Sequence, residues 1–161
     1  DWAAGLSRLR PTFSGATGPF PRRLVEQAER FFAELHASPE LSVLLHGDLH
    51  HFNILSAARE PWLAIDPKGV VGEPAYETGA LLRNPIDTLY TWPDWPQTTA
   101  RRVDVLAEYL QLDRQRILRW GIAQAVLSAW WTYEDHQQID EEVLRLAEVL
   151  AALPGAGQTV R

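Results

Sequence analysis

The sequence predicts a mainly α-helical fold with one short β-hairpin set near its middle. Three observations lead there. Apolar residues recur at three- and four-residue steps over 22–36 and again through most of 98–153. Two short strand-like runs, Ile54-Leu55-Ser56 and Trp62-Leu63-Ala64-Ile65, flank the linker Ala57–Pro61. Prolines and glycines gather outside the periodic stretches, at 11–21, 67–74 and 85–96. With 161 residues, 46% of them apolar, the chain can bury one sizeable core, and residues 1–161 read as a single domain.

The elements follow in order. Pro11, Gly15, Gly18, Pro19 and Pro21 interrupt any long helix, so residues 1–20 are expected to form an irregular lead-in. From Arg22 to His36, Leu24, Val25, Ala28, Phe31, Phe32 and Leu35 define the apolar stripe of an amphipathic helix, which Pro39 stops. Leu41–Leu45 reads as a buried strand or extended segment entering the loop His46–Asn53. The hairpin then places Asn53 just before its first strand and Asp66 just after its second, bringing together residues thirteen positions apart. Gly69 and Gly72 loosen the chain before a helix over Pro74–Leu82. Beyond a Pro- and Trp-rich loop, helices are predicted over Thr98–Leu110, Asp113–Tyr133 and Asp140–Leu153. Asp113 is placed to cap the second of these, and Pro154-Gly155 ends the last.

Composition narrows the chemistry. Fifteen basic residues against 21 acidic ones give a formal charge of -6, which offers no general attraction to nucleic acid or an anionic membrane, and suits a cationic small molecule better. The absence of cysteine excludes disulfides, zinc-thiolate sites and thiol nucleophiles. No apolar run nears the roughly 20 residues that cross a bilayer, and the start Asp1-Trp2-Ala3-Ala4 is not a signal peptide, so a cytoplasmic location is expected. The chain has no methionine, even at position 1, which suggests a processed or shortened chain.

The informative run is His46-Gly47-Asp48-Leu49-His50-His51-Phe52-Asn53, followed by Asp66-Pro67-Lys68-Gly69. Phosphoryl transfer needs a carboxylate to orient and deprotonate the attacking hydroxyl, and oxygen ligands for magnesium. Asp48 with Asn53 five residues later matches the D-x-x-x-x-N catalytic loop of kinases, and Asp66 supplies a second hard oxygen donor. A competing reading has His46, Asp48, His50 and His51 share a zinc ion in a metal-dependent hydrolase. It leaves Asn53 and Asp66 unexplained.

The strings "HGDLHHFNIL" and "AIDPKGVVGEPAYE", with the later "AQAVLSAWW", resemble the aminoglycoside and hydroxyurea antibiotic-resistance kinase family, in its streptomycin 6-phosphotransferase-like branch. The resemblance spans about Leu41 to Trp131. It implies a protein-kinase-like C-terminal lobe using ATP as co-substrate, with Asp48 as catalytic base, Asn53 and Asp66 as Mg²⁺ ligands, and His46 ordering the loop. The implied acceptor is a streptomycin-like aminoglycoside. Hydroxyurea or another small metabolite is the alternative, and a non-catalytic pseudokinase remnant a further one. The glycine-rich phosphate loop and paired lysine expected upstream are missing, so the ATP-binding N-terminal lobe is read as absent from this chain, which alone is expected to be inactive.

Four further expectations concern the surroundings. Glu77 is placed to hydrogen-bond the catalytic loop's backbone. Lys68, the chain's only lysine, is either a phosphate contact or an exposed loop residue. His50 is a candidate for lining the substrate site. Glu134 and Asp135, beside Trp131, form an acidic and aromatic patch suited to a cationic acceptor, although tryptophans at helical spacing also build cores.

Overall fold

A computed structural model describes residues 3–39 and 41–157. Its elements are α1 (Ala3–Leu6), α2 (Leu9–Thr12), α3 (Arg22–Ala37), β1 (Val43–Leu45), β2 (Ile54–Ser56), β3 (Trp62–Ala64), β4 (Val70–Gly72), α4 (Thr78–Arg83), α5 (Trp95–Leu110), α6 (Arg114–His136) and α7 (Glu141–Ala152). Short 3₁₀ turns stand at His51–Asn53, Pro74–Glu77 and Leu89–Thr91. Among the described residues no helix is long and apolar enough to cross a membrane.

The centre is α6. From Arg116 to Trp130 every residue except Ser128 is buried, so this helix has no solvent face over most of its length. Helices α3, α4 and α7 pack around it, and α5 joins α4 to α7. Its start is fixed as the sequence indicates, because the Asp113 carboxylate accepts from the amides of Gln115 and Arg116. Asp140 caps α7 in the same way, accepting from Val143. Two buried cations sit on the α6 surface. Arg116 pairs with Glu73, both side chains being under 5% exposed, and Arg119 lies over the Phe31 ring and reaches Glu34.

The predicted hairpin is present: β2 and β3 pair antiparallel, with Ile54 opposite Ala64 and Ser56 opposite Trp62. The stretch read as a lone buried strand or extended segment has a partner that periodicity did not disclose. Val43–Leu45 pairs antiparallel with Val70–Gly72, the stretch expected only to loosen the chain. Three residues containing a glycine carry no alternation to read, and the pairing depends on a contact across some thirty residues.

Two other differences have local causes. The lead-in, expected to be irregular, contains the one-turn helices α1 and α2; its residues Asp1 and Trp2 lie outside the described residues. Tertiary contacts hold it: Leu6, Leu9 and Phe20 are buried, Trp130 Nε1 donates to the Gly5 carbonyl at 3.1 Å, and Phe13 and Phe20 pack edge-on to Trp130. Helix α5 begins at Trp95 and not Thr98, because Pro96 falls in its first turn, where a missing amide costs nothing.

A candidate phosphoryl-transfer site

The loop between β1 and β2 is built around His46. Its Nε2 lies 2.7 Å from the Ile65 carbonyl and its Nδ1 accepts the Asp48 amide at 3.3 Å. With Nδ1 accepting, Nε2 is the ring nitrogen that donates to the Ile65 carbonyl. The Lys68 amide donates back to the His46 carbonyl at 2.7 Å, and the Ile65 amide to the Asn53 carbonyl at 2.9 Å. The two motif segments are thus stitched together by backbone bonds, with His46 in the seam.

Gly47 stands at φ 86°, and a Cβ there would lie 2.8 Å from Val70 Cγ2. Both the left-handed backbone and the close approach of β4 demand glycine at this position. The amide of Gly47 donates to Glu77 Oε1 at 2.6 Å. Glu77 Oε2 is buried without a partner among the described residues, and burial raises this carboxyl above the ordinary glutamate value, against the lowering effect of the Gly47 bond.

Among the described residues no donor hydrogen-bonds to the Asp48 carboxylate; His50 Nε2 lies 3.7 Å from its Oδ2. Asn53 Nδ2 donates to the Asp48 carbonyl at 2.9 Å and stands 3.4 Å from His50 Nε2, so the amide group is oriented with its oxygen turned away from the loop backbone. His50 is therefore a neighbour of both Asp48 and Asn53, and its Nδ1 is buried with no partner among the described residues. Asp66 adopts φ 57°, a left-handed conformation that aspartate tolerates better than most residues, and its side chain is 65% exposed. Lys68 Nζ donates to Asp66 Oδ2 at 2.6 Å, and that hydrogen bond holds the Asp66 carboxyl below its ordinary value.

The hard oxygen donors of the site are the Asn53 amide oxygen and the Asp66 carboxylate, one oxygen of which is engaged by Lys68 Nζ, at the open end of the hairpin where the Ile65 amide bonds the Asn53 carbonyl. Magnesium prefers such hard ligands and keeps several waters, so the residues present fit the ion. Zinc fits less well. Among the described residues no group of three or more His, Asp or Glu side chains is arranged to hold a metal, and His46 commits both ring nitrogens within the protein. The shared-zinc reading of His46, Asp48, His50 and His51 is corrected on that ground. His51 is exposed and packs against Phe52 with the rings tilted by 41°, centroids 4.0 Å apart.

The patch at the end of α6 stands elsewhere. Glu134 is held by Arg8 in a two-bond pair, Nε to Oε1 and Nη2 to Oε2, both 2.7 Å. Trp131 is half-buried against the core beside Gly5, and Asp135 is exposed. Gln124 and Trp120 are α6 residues that touch the loop's support, Gln124 bonding the Tyr76 carbonyl and Trp120 packing edge-on to the Tyr76 ring. Glu134 lies ten residues beyond Gln124, about 15 Å at 1.5 Å per residue. The structure therefore brings His46, Asp48, His50, Asn53, Asp66, Lys68 and Glu77 into one cluster and leaves Trp131, Glu134 and Asp135 outside it.

Gln124 has no mark in the sequence, and Glu73, a carboxylate near Glu77, has none that discloses its partners. Glu73 accepts from Arg116 Nε at 2.8 Å and Trp120 Nε1 at 2.6 Å, anchoring the segment between β4 and Glu77 to α6. A lone glutamate beside proline and a lone glutamine within an apolar helix carry no signal of partners some forty residues away.

Comparison with known proteins agrees with the motifs. The streptomycin 6-kinase of Streptomyces glaucescens is 37% identical over 148 residues, 91% of this chain and 48% of its own length. That of Streptomyces griseus is 39% identical over 120 residues, 74% of this chain and 39% of its own. The hydroxyurea phosphotransferase of Kitasatospora aureofaciens is 35% identical over 155 residues, 95% of this chain and 43% of its own. The chain thus spans about half or less of the length of these curated relatives. No solved structure matches it significantly. Residues 1–136 match the aminoglycoside/hydroxyurea antibiotic resistance kinase family, and the chain belongs to that family.

Proposed function

We propose that this chain is the C-terminal catalytic lobe of a kinase that transfers the γ-phosphoryl group of ATP to a hydroxyl of a small molecule, with a streptomycin-like aminoglycoside as acceptor. The observation that carries the reading is the Asp48 carboxylate. It is two-thirds covered yet takes no hydrogen bond among the described residues, on a loop pinned by His46 and Glu77 and beside two further oxygen donors.

Asp48 accepts the proton of the acceptor hydroxyl as the new oxygen–phosphorus bond forms and the bond from the γ-phosphorus to ADP breaks. His46 and Glu77 keep the loop in register. Asn53 and Asp66 would hold Mg²⁺, whose charge offsets that of the phosphate oxygens. Lys68, beside Asp66, is the candidate for a phosphate contact, and His50 for lining the acceptor side. The remaining ATP contacts come from an N-terminal lobe outside this chain. Exposed Phe52, Leu55 and Trp62, at 55%, 46% and 68%, are apolar surface on the hairpin side that such a lobe would cover. The acidic net charge suits a cationic acceptor. Hydroxyurea is the second acceptor reading, favoured by the phosphotransferase that matches 95% of this chain.

The test is magnesium-dependent ADP release by the full-length protein with streptomycin, other aminoglycosides and hydroxyurea. Acceptor-stimulated release that falls about 10²–10⁴-fold in Asp48→Ala supports both reaction and base. Near-normal turnover in that variant removes Asp48 as the base. Absence of stimulation by every acceptor rejects the substrate class and favours the pseudokinase reading.

A further inference from the structure

Gln124 is 3% exposed, in the middle of the central helix, and both ends of its amide are engaged. Nε2 donates to the Tyr76 carbonyl at 2.6 Å, and Oε1 accepts from Arg83 Nη1 at 3.1 Å. Its place is kept open by Gly79, where a Cβ would lie 2.4 Å from the amide carbon and oxygen and 2.6 Å from Nε2. An apolar side chain of the same size would fill this space, so packing alone does not call for an amide.

What the amide reaches gives the reason. Tyr76 precedes Glu77, and Glu77 Oε1 takes the Gly47 amide next to Asp48. The other Glu77 oxygen has no partner, so Gly47 is the only hydrogen bond given to this carboxylate among the described residues. Its position therefore depends on the backbone that carries it. That backbone changes at this point from a 3₁₀ turn, Pro74–Glu77, to α4, a joint at which carbonyls keep open lone pairs. We propose that Gln124 is a positioning residue for the catalytic loop: by holding the Tyr76 carbonyl it sets Glu77 at the distance that pins Gly47, and so places Asp48. The inference rests on reading Asp48 as the base.

The experiment compares Gln124→Met, which keeps bulk and removes both the donor to Tyr76 and the acceptor of Arg83, and Gln124→Glu, which keeps the acceptor and removes the donor, with wild type in the full-length protein. A fall in kcat of about tenfold or more, with KM for ATP and acceptor within about twofold, is expected from a misplaced base. Wild-type kcat in Gln124→Met overturns the proposal. Packing is separated from positioning by Gly79→Ala, which drives its Cβ into the amide, and by Gly79→Ala combined with Gln124→Ala, which relieves that clash. The double variant should regain thermal stability over Gly79→Ala without regaining kcat; if kcat returns with stability, the role is packing and the proposal fails. Hydrogen exchange gives a readout independent of turnover. Amides 46–49 should exchange faster in Gln124→Met and Glu77→Ala alike, and unchanged exchange in Gln124→Met refutes the proposal even if no acceptor is turned over by the wild type. Lack of acceptor turnover with faster exchange would reject the proposed function and leave the positioning intact.

Discussion

The hairpin region and the central helix divide the labour of this molecule. Of the twelve strand residues in β1 to β4, only Leu45 is buried, whereas α6 is buried almost throughout from Arg116 to Trp130. The strands and their loops carry chemistry on backbone bonds and two left-handed residues, Gly47 and Asp66; the helix carries none of that chemistry and forms the centre of the core. An exposed segment holds a defined loop geometry only when buried groups reach into it. Glu73, Glu77 and Gln124 are those groups, each touching the scaffold or the loop with one carboxylate or amide.

The largest expected effect tests the anchor at Glu73. Breaking the Glu73–Arg116 pair by Glu73→Ala should cost about 3–5 kcal/mol in urea unfolding, because a buried guanidinium is left without its carboxylate. A loss below about 1 kcal/mol would show that the hairpin side is held by apolar contacts alone.

A smaller effect concerns Glu77. Burial raises its folded-state pKa, so the folded form binds the proton more tightly than the unfolded chain. The associated stability is present at low pH and is lost as pH rises from the ordinary value of 4.5 through the raised one. Wild-type stability relative to Glu77→Gln should therefore decline across that window. A difference that grows with pH would show that the charged form is favoured by the fold.

The smallest effect lies at the exposed rim. Lys68→Ala removes the hydrogen bond that holds the Asp66 carboxyl down, so Asp66 should protonate at higher pH in the variant, as read by NMR titration of its side chain. An unchanged titration would show that Lys68 does not engage Asp66 in solution. Stability should barely move, since neither side chain is buried.

Much of the scaffold was legible in the chain. The long helices Arg22–Ala37 and Arg114–His136 appear within a few residues of expectation, the first through its 3.6-residue apolar repeat and the second through a long proline-free apolar run behind the Asp113 cap, both local properties of the sequence. The hairpin was legible for the same reason. Strand β4 and the two helical turns of the lead-in were not, since three or four residues hold no period and depend on partners far along the chain. At the site, the spacing of Asp48 and Asn53 and the position of Asp66 marked the loop. The patch Trp131, Glu134 and Asp135 had the right residue types, but Glu134 turned to Arg8, a partner 126 residues away in sequence.

By itself the sequence determined the helices, the hairpin and the family's motif residues, because these are carried by spacing and residue type over short stretches. Tertiary structure alone decided which of those residues meet. Gly47 is tied to Glu77 across thirty positions and Tyr76 to Gln124 across 48, and such contacts follow from how helices pack around α6 and not from any local pattern.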